Sequence, residues 1–365
     1  MIRSLAIIGV LLCWAHPSTA RAQASSEPPE QHEPQSDSSA ITLRAFGAVQ
    51  WGATDQPDVP SSFTLGQFAI FLTSNLSERV SVLAEIVLEG GTETEVVTDL
   101  ERLHLTFRFD DHLQITAGRY HTGIGFYNTA FHHGAYFETP IGRPRAFLFE
   151  DEGGILPVHD VGVSVRGAVP GTGLGLHYLA EVGNGRRWMS SADNAGEADA
   201  ESEEESPRDG NAAKALNLGL AYRPSAVRGL EIGGSYYRDT IARSPGPDVP
   251  HRIEAVYAVY RTSTTELMAE WLRLTHDNGV EFANHAGYAQ AARSFGPLKP
   301  YYRYDRLSLD PETPFLGAIG DFTRHTAGLR FDPAEWVGLK AQYERTDQAG
   351  RRGIDAVQTQ LVFVF

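Results

Sequence analysis

The sequence predicts an all-β fold, a closed antiparallel transmembrane β-barrel of about 16 strands, and three observations carry that prediction. The first is alternation. Leu103, Leu105, Phe107 and Phe109 alternate with Arg102, His104, Thr106 and Arg108. Leu216, Leu218, Leu220 and Tyr222 alternate with Asn217, Gly219, Ala221 and Arg223, and Val337, Leu339, Ala341 and Tyr343 with Gly338, Lys340, Gln342 and Glu344. Successive side chains of a strand point to opposite faces, so one face meets an apolar medium and the other a polar one. A soluble sandwich has the same period with its apolar face inward. The second observation separates the two. Connections alternate between short (110–111, 170–173, 262–264, 332–335) and long (53–61, 184–212, 240–250, 309–321), as the turns and outer loops of membrane barrels do. Third, the chain ends inside a strand, with Val357, Leu361, Phe363 and Phe365 on one face. Aromatic residues at strand ends (Trp51, Tyr120, Tyr222, Tyr236, Trp336) fit interfacial girdles.

The N-terminus precedes the barrel and reads differently. Arg3 is followed by an apolar run, Leu5 to Trp14, too short to span a bilayer, which takes ~20 residues. Small residues at Ala20, Ala22 and Ala24 offer cleavage sites, so 1–22 reads as an export signal. Its removal takes Arg3 and Arg21 with it and moves the formal charge from −15 to −17. Residues 23–39 hold three prolines and almost nothing apolar, the composition of a disordered tether. The barrel then occupies 40–365.

Its strands are expected at 41–51, 63–73, 79–89, 99–109, 112–119, 159–168, 173–183, 213–223, 229–239, 251–261, 265–275, 281–292, 298–307, 322–331, 336–346 and 353–365. An even count returns both termini to one side. The alternation is least regular over 265–275 and 281–292.

Composition removes other classes. A formal charge of −15 lacks the basic footprint of a nucleic-acid binder. A single Cys, Cys13, allows no disulfide framework and no Cys-based metal site. A mean hydropathy of −0.26 excludes a bundle of membrane helices.

Residues 120–157 form the third long connection and carry eight aromatics: Tyr120, Phe126, Tyr127, Phe131, Tyr136, Phe137, Phe147 and Phe149. A loop of that composition would expose a large apolar patch to water, which surfaces rarely carry. The expectation is that it folds into the barrel, packs on the inner wall and narrows the lumen. There it would present Arg143, Arg145, Glu150, Asp151 and Glu152, with Arg119 and His121 at its root.

This layout resembles the sixteen-stranded, usually trimeric porins of Gram-negative outer membranes, whose third outer loop folds inward as a constriction. Locally, Gly118-Arg119-Tyr120-His121-Thr122-Gly123-Ile124-Gly125 is similar to the strand-to-constriction segment of the phosphate-selective porin O and P type. That family usually has a Pro where Gly123 stands and a Lys or similar residue near His121. The resemblance implies an outer-membrane location, contact with outer-membrane lipid and lipopolysaccharide, a homotrimer, and a terminal Phe365 read by the barrel-assembly machinery.

A barrel of this size encloses a water-filled channel, so the expected function is passive diffusion of small polar solutes and ions, with no cofactor. A barrel serving as a surface binding or hydrolytic platform is the alternative, although no Ser is marked out for it. Expected inward-facing cations are Arg44, Arg102, Arg108, Arg166, Arg252, Arg303, Arg324, Arg330 and Lys340, with His104 on the same face as Arg102. Expected inward-facing acids are Glu85, Glu89, Glu181, Glu231, Glu254, Asp305 and Glu344. Near balance on the wall predicts a neutral or weakly anion-preferring pore, the acidity lying in loops such as 197–209. His121, His132, His133, His159, Glu150 and Asp151 lack the fixed spacing of a metal site, and none is expected.

Overall fold

The computed structural model of the 365-residue chain describes residues 40–90, 96–131, 134–150, 152–171, 173, 175–189, 211–244, 246–317 and 319–365. The expectations for 1–22, 23–39, His132, His133, Asp151 and 197–209 lie outside the described residues.

Strands β1 (Ile41–Thr54), β2 (Ser62–Asn75), β3 (Val80–Gly90), β4 (Val96–Arg108), β5 (Gln114–His121), β6 (His159–Ala168) and β7 (Leu176–Gly183) begin the barrel. A short β8 (Arg187–Met189) pairs in parallel with the end of β10 and stays outside the ring. β9 (Ala215–Tyr222), β10 (Leu230–Ser244), β11 (Val249–Arg261), β12 (Thr265–Asp277), β13 (Glu281–Arg293) and β14 (Leu298–Ser308) continue it. β15 (Phe322–Ala334), β16 (Val337–Gln348) and β17 (Ile354–Val364) complete it, and β17 pairs antiparallel with β1 to close the ring of sixteen.

Every strand lies where the alternation put it, and the differences are at the ends. β10 runs to Ser244 and β11 starts at Val249, so the expected loop 240–250 shrinks to 245–248. Connections 278–280 and 349–353 are as short as 76–79 and 294–297 on the other side, so the segregation by length holds only in part. Backbone pairing continues wherever a neighbour offers partners, past the point where side-chain hydropathy stops alternating.

Leu103, Leu218 and Leu339 are exposed, whereas Arg102, Asn217 and Lys340 are buried. In a closed ring the buried face is the one turned to the axis, so the apolar face is outward, the reverse of a soluble core. Three expectations need correction. Tyr120 is buried, not at a girdle, because it stands where the chain leaves β5 for the long connection. Arg252 and Glu254 share the exposed outer face of β11 with Val256. There Arg252 pairs with Glu281 at 2.6 Å and Glu254 with Arg273 at 3.6 Å. The reason is a local inversion of the pattern. The inner face of β11–β13 carries Ile253, Ala255, Val259, Met268, Leu272, Leu274 and Ala286, which join one apolar core with residues of 122–158. An inner wall that packs against protein is apolar, and the period-two reading by hydropathy fails there.

Candidate functional site

The long connection is closed at its root. Thr122 N donates to Val158 O at 2.8 Å, and Asn128 Nδ2 donates to Thr122 O and Val158 O at 2.8 and 3.2 Å. Before the root, Gly118 takes φ 131°, and a Cβ there would lie 2.1 Å from Leu103 O, so the position demands Gly. Beyond it, Tyr127–Ala130 makes a single helical turn.

Six of the eight aromatics behave as burial requires in full or nearly so: Tyr120, Tyr127, Phe131, Phe147 and Phe149 are buried and Phe126 is half-buried against the core. Tyr127 stacks on Phe131 with centroids 4.5 Å apart, and Phe147 meets Tyr288 of β13 edge-on at 5.9 Å. Tyr136 is half-buried, with its hydroxyl donating to Glu335 O, and Phe137 is exposed.

The connection's backbone is held by wall side chains. Glu270 of β12 accepts from Phe126 N at 2.6 Å and Tyr127 N at 2.8 Å, and also from the Tyr288 hydroxyl at 2.8 Å. Arg303 donates to Gly142 O (2.8 Å), Arg324 to Arg143 O (3.2 Å), and Arg330 to Tyr136 O and Glu138 O (2.7 and 2.8 Å). Lys340 Nζ donates to Ala135 O at 2.6 Å and Pro140 O at 3.1 Å. Gln342 accepts from Ile141 N and donates to Ile141 O. Arg324, Arg330 and Lys340, expected to line an open wall, are thus spent on carbonyls of 135–143. Arg102, likewise, is bound to Glu85 at 2.5 Å in a buried ion pair.

Within the connection, Arg143 lies over Phe149 at 4.1 Å and donates from Nε to Phe147 O. Arg145 N donates to Asp305 (2.8 Å) and its Nη1 to Gly153 O (2.8 Å). Burial would push the Glu150 carboxyl up, but the His159 ring, the His159 N–H and Arg186 outweigh it and hold it below the ordinary carboxylate range. His159 also meets Glu101 at 2.9 Å and His121 at 3.1 Å, and His121 Nδ1 donates to Asn128 O at 2.9 Å. Glu101 is the extra residue where β3 and β4 slip register, which buries it beside Arg102. Arg119 donates to Glu101 O at 2.9 Å. Among the described residues, no group of three or more His, Cys, Asp or Glu is arranged to hold a metal ion.

Two spaces lined by described residues lie beside the connection. The larger, about 630 Å³, lies between Gly123–Thr129 and the wall of β4–β11, with Arg108, Gln114, Arg166, His177, Arg223 and Glu231 around it. The smaller, about 200 Å³, is bounded by Gln50, Gln67, Glu138, Arg143, Glu152 and Gln360. Arg108 and Glu152 therefore stand beside open space. His104 is half-buried with its Nδ1 3.4 Å from the Thr106 hydroxyl. Sequence reasoning missed Glu270 and Gln342 as anchors and Glu101 and Asn128 at the root. Glu266 and Glu270 do recur at even spacing on β12, but the register there was the least legible.

No family model matches the chain, and no curated protein matches it in sequence. Solved structures do match in fold. OmpF of Salmonella typhi, in complex with daunomycin, superimposes with a TM-score of 0.63 at 12% identity, over 90% of this chain and 98% of that one. The anion-selective porin from Comamonas acidovorans gives 0.63 at 12% identity, over 90% and 100%. The outer-membrane channel DcaP of Acinetobacter baumannii gives 0.59 at 9% identity, over 89% and 97%. With its ring of sixteen antiparallel strands and its outward apolar face, the chain has the sixteen-stranded fold of the outer-membrane porins.

Proposed function

We propose that the chain is an outer-membrane channel in which 120–157 folds inward as the constriction and small polar solutes and ions diffuse past it. The observation that carries the reading is the pair of spaces beside that connection, above all the one of about 630 Å³ bounded by Arg108, Arg166 and Arg223. The nearby acids, Asp110, Asp111 and Glu231, leave that lining close to neutral, which supports a neutral or weakly anion-preferring pore. The charge that decides is local, because at ~8–10 Å, about a Debye length at physiological salt, distant loop acids are screened. Residues 1–22 export the chain, 23–39 tether it, and Phe365, exposed beside Phe363, is the handle for barrel assembly. Three copies associate in the membrane, facing lipid and lipopolysaccharide.

Purified protein in a planar bilayer should give discrete conductance steps. Zero-current potentials across a salt gradient should be near zero or of the anion-preferring sign. Folded protein that conducts nothing would favour the surface-platform reading, and a strong cation preference would contradict the lining assigned here.

A further inference from the structure

Beneath the connection between β14 and β15 (residues 309–321) two histidines are sealed from water. His251 of β11 and His276 of β12 are cross-strand partners with stacked rings, centroids 4.5 Å apart and planes 7° apart. His251 is fully buried, and neither of its ring nitrogens meets a hydrogen-bond partner among the described residues. His276 is buried too. Its Nδ1 lies 3.4 Å from the Thr313 hydroxyl, and Phe315 covers the ring edge-on at 5.6 Å. The connection is docked at this spot. Asn284 donates to Thr313 Oγ1 (2.9 Å) and accepts from Asp310 N (2.9 Å), while Leu309 and Leu316 enter the apolar core. Phe315 takes φ 68°, a left-handed conformation that a bulky residue avoids, so docking holds the backbone against its preference.

Among the described residues, no carboxylate is placed to stabilise a second proton on either ring. Asp239, the cross-strand neighbour of His251, is occupied by the N–H groups of Arg186 and Thr240 and by the Tyr237 hydroxyl. Arg186, whose backbone N–H bonds Asp239, is itself buried and brings a like charge to this corner, not a compensating one. Asp310 turns its carboxylate to Glu312 N. An imidazolium here would be a buried cation beside a guanidinium and a second imidazole, without a counter-ion among the described residues, which is among the costliest states in a protein.

We propose that His251 and His276 form an acid-operated latch: the connection 309–321 stays docked while both rings are neutral and lifts from that end of the barrel when they are protonated and hydrated. The sign follows from linkage. A free imidazole titrates near pH ~6.5, and the docked state excludes the proton, so docking is fully favoured above that pH. Below it, docking weakens about tenfold per pH unit for each histidine that titrates. The latch is independent of what, if anything, the barrel conducts.

A nitroxide label on the exposed Glu312→Cys, in the full chain with Cys13→Ala, reads the docking directly. Between pH 8 and 4.5 the mobile spectral component should grow at least tenfold per pH unit below about pH 6. H251F/H276F, which keeps two aromatic rings but removes both protonation sites, should stay immobile throughout. A spectrum that does not change with pH, or a double variant that follows the wild-type curve, would overturn the latch. If the double variant does not assemble, H251F and H276F alone should each halve the steepness, and unchanged steepness in both would overturn it equally.

Discussion

Glu270 shows how much one inner-wall side chain can organise. It accepts from two consecutive backbone N–H groups at the turn of Phe126–Tyr127 and from the Tyr288 hydroxyl. A hydrogen bond contributes ~0.5–1.5 kcal/mol, and a buried donor left unpaired costs ~1–3 kcal/mol. E270Q replaces one acceptor oxygen with a donor that faces donors, so it should loosen 122–158 by ~2–3 kcal/mol. Faster protease cleavage within the connection, with the barrel itself intact, is the expected readout. Lys340 teaches the complementary lesson, because both of its acceptors are carbonyls of the connection. K340M should weaken docking of the connection while leaving the zero-current potential where it was. A shift in ion preference of the size produced by R108Q would mean that Lys340 faces the ion path after all. Glu150 adds a pH dependence. Its carboxyl is held below the ordinary range, so its anchoring contribution is complete above pH ~4.3 and is lost only as pH falls through its lower value. E150Q should therefore reduce protease protection at pH 7, but make no difference at a pH low enough to protonate the native carboxyl.

At the scale of elements, β11–β13 and the connection 122–158 explain each other. The connection brings Tyr127, Phe131, Phe147, Ile155 and Leu156 to a wall whose inner face is apolar for that reason. Removing 126–137 would delete the acceptor of Arg330 at Tyr136 and that of Lys340 at Ala135 as well as apolar contacts. A deletion variant that still assembles should show raised single-channel conductance and a lower unfolding midpoint in denaturant. Conductance equal to the parent in a folded deletion variant would remove the connection from the ion path. The inverted pattern also accounts for the misplaced Arg252 and Glu254. Hydropathy assigns charges inward by default, and here the inner face was already taken by a core.

For the molecule as a whole, the outward face decides where it can live. Leu218 stands exposed on β9, at 60% of its surface, in the middle of an apolar outer wall. A charged residue facing lipid costs ~2–4 kcal/mol at the bilayer midplane and ~0–1 near the interfaces. L218R should therefore lower the unfolding free energy in lipid vesicles by an amount set by its depth, and a change near zero would place β9 differently in the membrane. The barrel is also closed by β1 with β17 over Phe46–Thr54 and Ala356–Val364, so both ends of 40–365 contribute to one seam.

The barrel was legible in the amino-acid order because a lipid-facing wall imposes one rule, alternation, on every strand it touches. Leu103, Leu218 and Leu339 obey it, and from them follow the sixteen strands, the outward apolar face and the burial of Arg102, Asn217 and Lys340. The aromatic content of 120–157 likewise announced that it needed a surface to cover. Which surface, and at whose expense, was decided by tertiary structure. Arg303, Arg324, Arg330 and Lys340 look alike in sequence whether they face water or a carbonyl, and only the approach of residues 135–143 converts them from lining into anchors. The stacking of His251 on His276 and the burial of Glu101 at a register slip are equally invisible along the chain. Alternation reports the medium each face meets, averaged along a strand; it carries no information about which distant segment supplies that medium.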